Sequence, residues 1–335
     1  MAVINVTPLT DITALIASDS INEGDVLLLE EGIYYQTVII TKNNIRIVAK
    51  GPKVVFDGKS TLITAFTLSN VTGVIIEGIN IRQYRTIGIF IDGGSGNRII
   101  KNTIHNTLGN GIEVFTSSGN LFWKNQLFRC FDGIRLILGS TNNWVIDNIA
   151  KECFDDGFES FFDQDMNNSF ISNKAIGNTS NGLDIFGTNN LVVDNLLADN
   201  GLGLVIANGS DSVAIGNEIR ECKVETYTVL TNFWNHFAGE NRIVCNNLTG
   251  ISNNSLFGVF LNNEISYNKD SGITLGMNSV GNLVMDNTLV CNIPENITDS
   301  GTNNIILNNT EKPCGPCEAP SEVCDSCTDE AGLEQ

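Results

Sequence analysis

The residues best suited to chemistry follow a recurring Asx-Gly phrase. Asn110-Gly111-Ile112-Glu113, Asp132-Gly133-Ile134-Arg135, Asp156-Gly157-Phe158-Glu159 and Asn181-Gly182-Leu183-Asp184 succeed one another at intervals of 22, 24 and 25 residues. If Gly marks a turn into a sheet, residues aligned on it stack one coil apart. One column then reads Glu113, Arg135, Glu159, Asp184, and the adjacent one Asn110, Asp132, Asp156, Asn181, with Asp155 beside it. Alternation along a strand sends Ile112, Ile134, Phe158 and Leu183 inward and the charged column outward. Carboxylates about 5 Å apart repel and are best tolerated with a cation among them, and an all-oxygen cluster suits Ca²⁺. The alternative is that acids on the exposed face of a chain of formal charge −19 meet with no ligand between them.

Histidine is scarce. His105 sits where equivalent repeat positions hold Phe128, Lys151 and Ile176, whereas His236 lies in the aromatic phrase NFWNHFAGEN with Phe233, Trp234 and Phe237 and is the candidate for proton transfer or binding. The cysteines pose two separate questions. Cys130 and Cys153 share a repeat register and read as buried thiols, with a disulfide between them as the alternative. Cys314, Cys317, Cys324 and Cys327 crowd the C-terminus as Cys-x2-Cys-x6-Cys-x2-Cys, which suits disulfide cross-linking or a tetrahedral zinc site. Cys314-Gly315-Pro316-Cys317 also matches a redox motif, but without the helix N-terminus that would depress the thiol pKa.

The elements that must position these groups come from a repeat. Pairs of polar residues five apart recur at Asn97/Asn102, Asn120/Asn125, Asn143/Asn148, Asn168/Asn173, Asn190/Asn195, Ser212/Asn217, Asn241/Asn246, Asn263/Asn268, Asn282/Asn287 and Asn304/Asn309. First members are spaced 23, 23, 25, 22, 22, 29, 22, 19 and 22 residues apart, and the residue two further on is apolar in every case, as at Ile99, Phe122 and Val192. A unit of 22 residues holding short strands cannot bury its own face, but stacked copies can. An Asn amide donates upward and accepts from below across the roughly 4.8 Å between strands, which keeps a buried polar row satisfied. The expected fold is all-β: a single-stranded right-handed parallel β-helix over 24–310, with an N-terminal cap over 1–23 and a flexible acidic Cys-rich tail over 311–335. Thr10 or Asp11 caps a short helix through Ser18, with Ile12, Leu15 and Ile16 on one face to cover the open end. The 25- and 29-residue intervals predict loops leaving one side of the solenoid, carrying Phe161-Phe162-Asp163-Gln164-Asp165 and Tyr227 with Phe233, Trp234 and Phe237.

The phrases NRIIKNTIHNTLGNGI, NLFWKNQLFRCFDGI and NLVVDNLLADNGLGL resemble the pectate-lyase-like parallel β-helix repeats shared by polysaccharide lyases, polygalacturonases, mannuronan epimerases and NosD-type carbohydrate-binding proteins. The resemblance implies that Asp132, Asp155, Asp156, Glu159 and Asp184 ligate Ca²⁺ to hold a uronate sugar. It makes Arg135 the base of a β-elimination; the residues themselves, not the resemblance, add His236 as the second catalytic candidate. Glu113 would then touch substrate, and the loop aromatics Phe161, Phe162, Tyr227, Phe233, Trp234 and Phe237 either wall a groove for sugar rings or pack back on the scaffold as a loop core. Gly-His-Gly, Arg-Ile-Lys and Asp-Pro-His, which polygalacturonases and epimerases carry, are absent. The expectation is a carbohydrate-binding protein, and, if catalytic, a Ca²⁺-assisted lyase of an acidic polysaccharide. The rival is a structural protein of a cell, spore or virion surface, linked through its tail and self-assembling as disulfide-bonded or trimeric copies. No basic patch predicts nucleic-acid binding, no apolar run reaches the length of a membrane span, and no signal peptide is visible, so the expected location is surface-associated.

Overall fold

The computed structural model describes residues 1–224, 227–229 and 234–314. Among them, all paired strands run parallel and form three sheets, A of 14 strands, B of 13 and C of 12, in which neighbours are one coil apart. A typical coil places Arg98–Ile100 in sheet A, Thr103–His105 in sheet B and Ile112–Phe115 in sheet C before the next coil starts at Leu121–Trp123. In sheet A, each three-residue strand from Arg98–Ile100 to Leu283–Met285 turns its middle side chain inward. Ile99, Phe122, Val145, Phe170, Val192 and Ala214 are fully buried and fall in one register column. The chain is therefore a parallel β-solenoid whose core is a stack of aliphatic and aromatic rows.

The corners are held by amide ladders. Asn125 N–H donates to Asn148 Oδ1 (2.9 Å) and Asn148 N–H to Asn173 Oδ1 (3.0 Å), while Asn148 Nδ2 donates to the Phe122 carbonyl (2.9 Å). Three such ladders exist, not two. Asn217 passes to Asn241, Cys222 to Asn246, and Gly258 to Asn282. The pairs Asn241/Asn246 and Asn263/Asn268 are thus the second and third ladder positions of their coils, whereas the pairs before and after them are the first and second. The 29- and 19-residue intervals result from that five-residue change of ladder, since His236 and Gly258 take the first-ladder place after Ser212. From Asn97 onward the longest first-ladder interval is that of 25 residues, and Asp165 fixes it: its carboxylate accepts the N–H groups of Gly139 (2.7 Å), Ser140 (2.9 Å) and Phe162 (2.8 Å).

Glycine is required just before the sheet C strands because coils approach closely there. A Cβ on Gly133 would lie 2.3 Å from the Gly157 carbonyl oxygen, and one on Gly157 would lie 2.7 Å from that of Gly182. At the N-terminal end the helix Ile12–Ala17 is capped by Asp11, whose carboxylate accepts the Ala14 N–H at 2.9 Å, and Ile12 and Ile16 are buried. The segment before it adds a strand, Val3–Val6, to sheet A beside Val26–Leu29. At the other end Thr310–Lys312 is the last strand of sheet B, so the solenoid continues past residue 310. Cys314 is disulfide-bonded to Cys291 and is therefore not a zinc ligand. Cys317, Cys324 and Cys327 lie outside the described residues. Cys130, Cys153 and Cys222 are free and buried, so the first two do not pair with each other.

Candidate functional site

Sheet C brings the proposed column together. Glu113 pairs with Arg135, Arg135 with Glu159 and Glu159 with Asp184 as register neighbours on successive strands. Asp132 and Asp156 precede their strands, Asn181 opens the strand Asn181–Phe186, and the three form a fourth ladder of opposite polarity. Asp132 N–H donates to Asn110 Oδ1 (3.2 Å), Asp156 N–H to Asp132 Oδ1 (3.1 Å) and Asn181 N–H to Asp156 Oδ1 (2.7 Å). One carboxylate oxygen of each aspartate thus does a structural job and the other is left over. An oxygen each of Asp132, Asp156 and Glu159 lies within 4.8 Å of the other two.

The column was expected to face outward, but much of it is covered. Asp132, Asp156 and Glu159 are only 1, 3 and 5% exposed, while Glu113, Arg135 and Asp184 are half-buried. Asp132 Oδ2, Glu159 Oε2, Asp184 Oδ1 and Asn181 Oδ1 are buried and accept no hydrogen bond. Arg135 Nε lies 2.6 Å from Glu159 Oε2 and 3.9 Å from Asp132 Oδ2, yet its N–H is not directed along either line, so these are ionic contacts rather than hydrogen bonds. Burial pushes the carboxyls up, to about 6 for Asp132, about 7 for Asp184, about 8 for Asp156 and about 9 for Glu159. Neighbouring carboxylates add to the effect, Asp184 on Asp156, Asp132 on Glu159 and Asp155 on Asp184, and Arg135 offsets only part of it.

Aromatic rings flank the acids. Phe161 stands 5.0 Å from the Arg135 guanidinium carbon and contacts Phe162 edge-on at 5.0 Å and Phe186 at 5.6 Å. Phe186 was not singled out in the sequence; it lies two residues beyond Asp184 and so on the same outer face, which is the signal that could have found it. The other aromatic segment does not join this site. Trp234 bridges Ser210 and Leu256 beside sheet A, and Phe237 starts a sheet A strand. His236 is 1% exposed at a ladder corner of sheet A, with neither ring nitrogen hydrogen-bonded, and burial holds its pKa down. A buried group on a different sheet cannot exchange protons with a substrate at the acids, so His236 leaves the candidate list. Tyr227 falls at the sheet C register of Leu204 and Ile251, and Phe233 lies outside the described residues.

The arrangement can gather a hard cation in an oxygen-lined recess beside a strip of phenyl rings. A Ca²⁺ ion with Ca–O distances of about 2.3–2.6 Å spans ligand oxygens up to about 5 Å apart, which the Asp132, Asp156 and Glu159 oxygens satisfy.

Comparison with known proteins bears on the fold. The profile of the family described as periplasmic copper-binding protein (NosD) matches residues 37–239. Among solved structures, the periplasmic alginate epimerase AlgG is similar at 14% identity over 92% of this chain and 83% of its own, with a TM-score of 0.55. A mannuronic acid specific polysaccharide family 6 lyase from human gut microbiota is similar at 14% identity, over 86% and 87% of the two chains, with a TM-score of 0.56. PfbA, a surface adhesin of Streptococcus pneumoniae, is similar at 11% identity over 90% and 86%, with a TM-score of 0.53. No curated protein matches the chain in sequence.

Proposed function

The chain belongs to the family of the periplasmic copper-binding protein NosD, and from that premise we propose that it is a carbohydrate-binding β-helix protein acting outside the cytoplasm. In this reading Asp132, Asp156, Glu159 and Asp184 hold a Ca²⁺ ion that bridges to the carboxylate of a uronate-type polysaccharide. The observation that carries the reading is the gathering of one oxygen each from buried Asp132, Asp156 and Glu159 within 4.8 Å of one another, with Asp184 Oδ1 and Asn181 Oδ1 on the next coil buried and accepting no hydrogen bond. A buried acceptor without a donor is costly, and a cation removes the cost while discharging the mutual repulsion of the acids. Phe161, Phe162 and Phe186 supply an apolar platform for sugar rings beside it.

The copper in the family's name does not fit this cluster. Copper favours thiolate, thioether and imidazole donors, whereas among the described residues the one group of three or more candidate ligands is all carboxylate. The β-elimination step is also not assigned to Arg135. A guanidinium 2.6 Å from a carboxylate stays charged and cannot accept a proton, so Arg135 is placed as a binding group for the anionic sugar. Disulfides are rare in reducing compartments, so those at Cys291–Cys314 and at Cys245 support a location outside the cytoplasm. Cys314 is taken up within the chain, which weighs against the rival reading of a surface protein cross-linked through its tail.

The test pairs a thermal melt with affinity electrophoresis in polygalacturonate or alginate gels. Ca²⁺ at a hundredfold excess over its Kd should raise the Tm by roughly 3–6 °C, and the polymers should retard the protein only when Ca²⁺ is present. Asp156→Asn with Glu159→Gln should remove both effects. A Tm indifferent to Ca²⁺ together with unretarded migration would refute the proposal.

A further inference from the structure

The outer face of sheet A is chemically unlike the rest of the surface. Over the ten strands from Arg98–Ile100 to Ile305–Leu307, the first and third residues point outward. Among those twenty positions Arg98 alone is charged, and Ser169 and Gly239 are the only others that are not apolar. Trp144 is 47% exposed, Ile305 51% and Leu307 48%. Beside this face a column of isolated bridges adds Trp234, Leu256 and Val280 towards the C-terminal end, while Ser95, Ser118 and Thr141 occupy it towards the N-terminal end. The corresponding positions of sheet B hold Gln126, Lys174, Glu218, Arg242 and Glu264, so an apolar outer face is not a demand of the fold. Among the described residues each sheet A strand pairs only within the sheet, and the ammonium groups of Lys101 and Lys124 lie over the Trp123 ring at 5.9 and 5.0 Å.

One rim of this face is charged, and the sign changes along it. The residues that follow the strands at the turn into sheet B include Lys101 and Lys124 towards the N-terminal end, then Asp147, Asp194, Glu240 and Asp286, all exposed. We propose that two copies of the chain pack through this face, antiparallel, about a two-fold axis lying along the strand direction. That operation keeps both rims on the same side and reverses the solenoid axis, so the lysine end of each copy meets the acidic end of the other. A parallel pairing would put the rims on opposite edges and leave them unmatched. With a formal charge of −19, copies repel one another over most of their surface, and the uncharged face is where they can approach.

The dimensions fit. Ten coils at about 4.8 Å make a face some 45 Å long, and with its flanking strip it is about 15 Å wide, which approaches the roughly 800 Å² per partner of a standard interface. A second copy has the same coil spacing, so the apolar sheet A rows meet along the face, and the uncharged flanking columns meet with Trp234, Leu256 and Val280 of each copy against the Ser and Thr positions of the other. The acid cluster lies on sheet C and stays open in the dimer. This inference stands independently of the cation reading.

Sedimentation velocity on the full chain, with a non-reducing gel to exclude disulfide-linked copies, reads the assembly directly. The wild type should be a dimer at micromolar concentration, and Trp144→Glu with Leu191→Glu should weaken it by about 100-fold. Lys101→Glu with Lys124→Glu should weaken it by roughly tenfold, and adding Glu240→Lys with Asp286→Lys should restore it. These rim residues are exposed, so the second pair of results holds even if the face substitutions disturb folding. A wild type that is monomeric at tens of micromolar, a dimer indifferent to both sets of substitutions, or a monomer that instead binds phosphatidylcholine vesicles would each overturn the proposal. The Ca²⁺-dependent Tm of the monomerised variant reports separately on the acid cluster.

Discussion

Replacing Asn by Asp at a ladder position changes one group with large consequences. Each ladder Asn offers one oxygen to a neighbouring N–H and uses its NH₂ to satisfy a carbonyl, as Asn173 does with Val145 (2.8 Å). Asp132 and Asp156 keep the first interaction, but their second oxygen has no donor to offer and faces the other acids instead. Without a cation the buried carboxyls are best accommodated with protons on them, which is why their pKa values rise. The sign of the linkage follows. In the unfolded chain these groups ionise near pH 4, while in the folded protein they do so at about 6 to about 9. Between those limits the folded state binds more protons than the unfolded one, so stability is greatest below pH 4 with respect to these groups and falls as pH rises towards 9. In chelator the Tm should decline over that window, Asp156→Asn should flatten the decline, and Ca²⁺ should oppose it most at the alkaline end. A melt series in buffers of pH 5 to 9 checks all three.

The ladder is also the element that fixes register, and it carries its own prediction. Asn148 accepts from the N–H and Nδ2 of Asn125 and donates to Phe122 and Asn173, all in the interior. Asn148→Ala leaves the buried Asn125 N–H and the Phe122 carbonyl unpartnered and should cost about 2–4 kcal/mol in chemical denaturation. Asn148→Asp should be worse at neutral pH and recover in acid, because it places at an interior corner the same buried carboxylate that Asp132 and Asp156 carry. These ladders are also where the sequence was most and least legible. The period of 22 and the five-residue spacing follow directly from Asn positions, and the register that brings Glu113, Arg135, Glu159 and Asp184 into one column could be read from the Gly phrases because close coil contact admits no Cβ at Gly133. Which ladder a given Asn belongs to could not be read, because first, second and third corners use the same residue at the same spacing. His236 and Gly258 standing at the first corner therefore looked like a long insertion, and the aromatic segment around Trp234 was placed at the wrong side of the molecule. Burial of the acids escaped for a different reason: alternation gives the direction of a side chain and not what neighbouring coils and Phe161 place over it.

A solenoid meets solvent at its two ends, and each coil is supported only by its neighbours, so the ends limit the stability of the whole. The first coil is closed by the helix Ile12–Ala17, which buries Ile12 and Ile16. Among the described residues the last coil has no such cover: Ile305, Ile306 and Leu307 are 51, 38 and 48% exposed in the edge strand of sheet A. What holds it is covalent. The Cys291–Cys314 bond, across a separation of 23 residues, ties the turn before Ile297–Asp299 to the end of the final sheet B strand. In the chain-entropy account a loop of that size contributes about 3 kcal/mol, and because contacts are local the contribution acts on the final coils and not on the middle of the stack. Cys291→Ser with Cys314→Ser should therefore accelerate amide hydrogen exchange in the strands from Leu283 to Lys312, while exchange from Asn97 to Asn195 and the Ca²⁺ response stay as in the wild type. Uniform acceleration along the chain would mean that the solenoid unfolds as one cooperative unit and that the end closure acts globally. Exchange measured coil by coil separates the two outcomes, and the same data show whether the exposed edge frays inward from Ile305 when its covalent tie is cut.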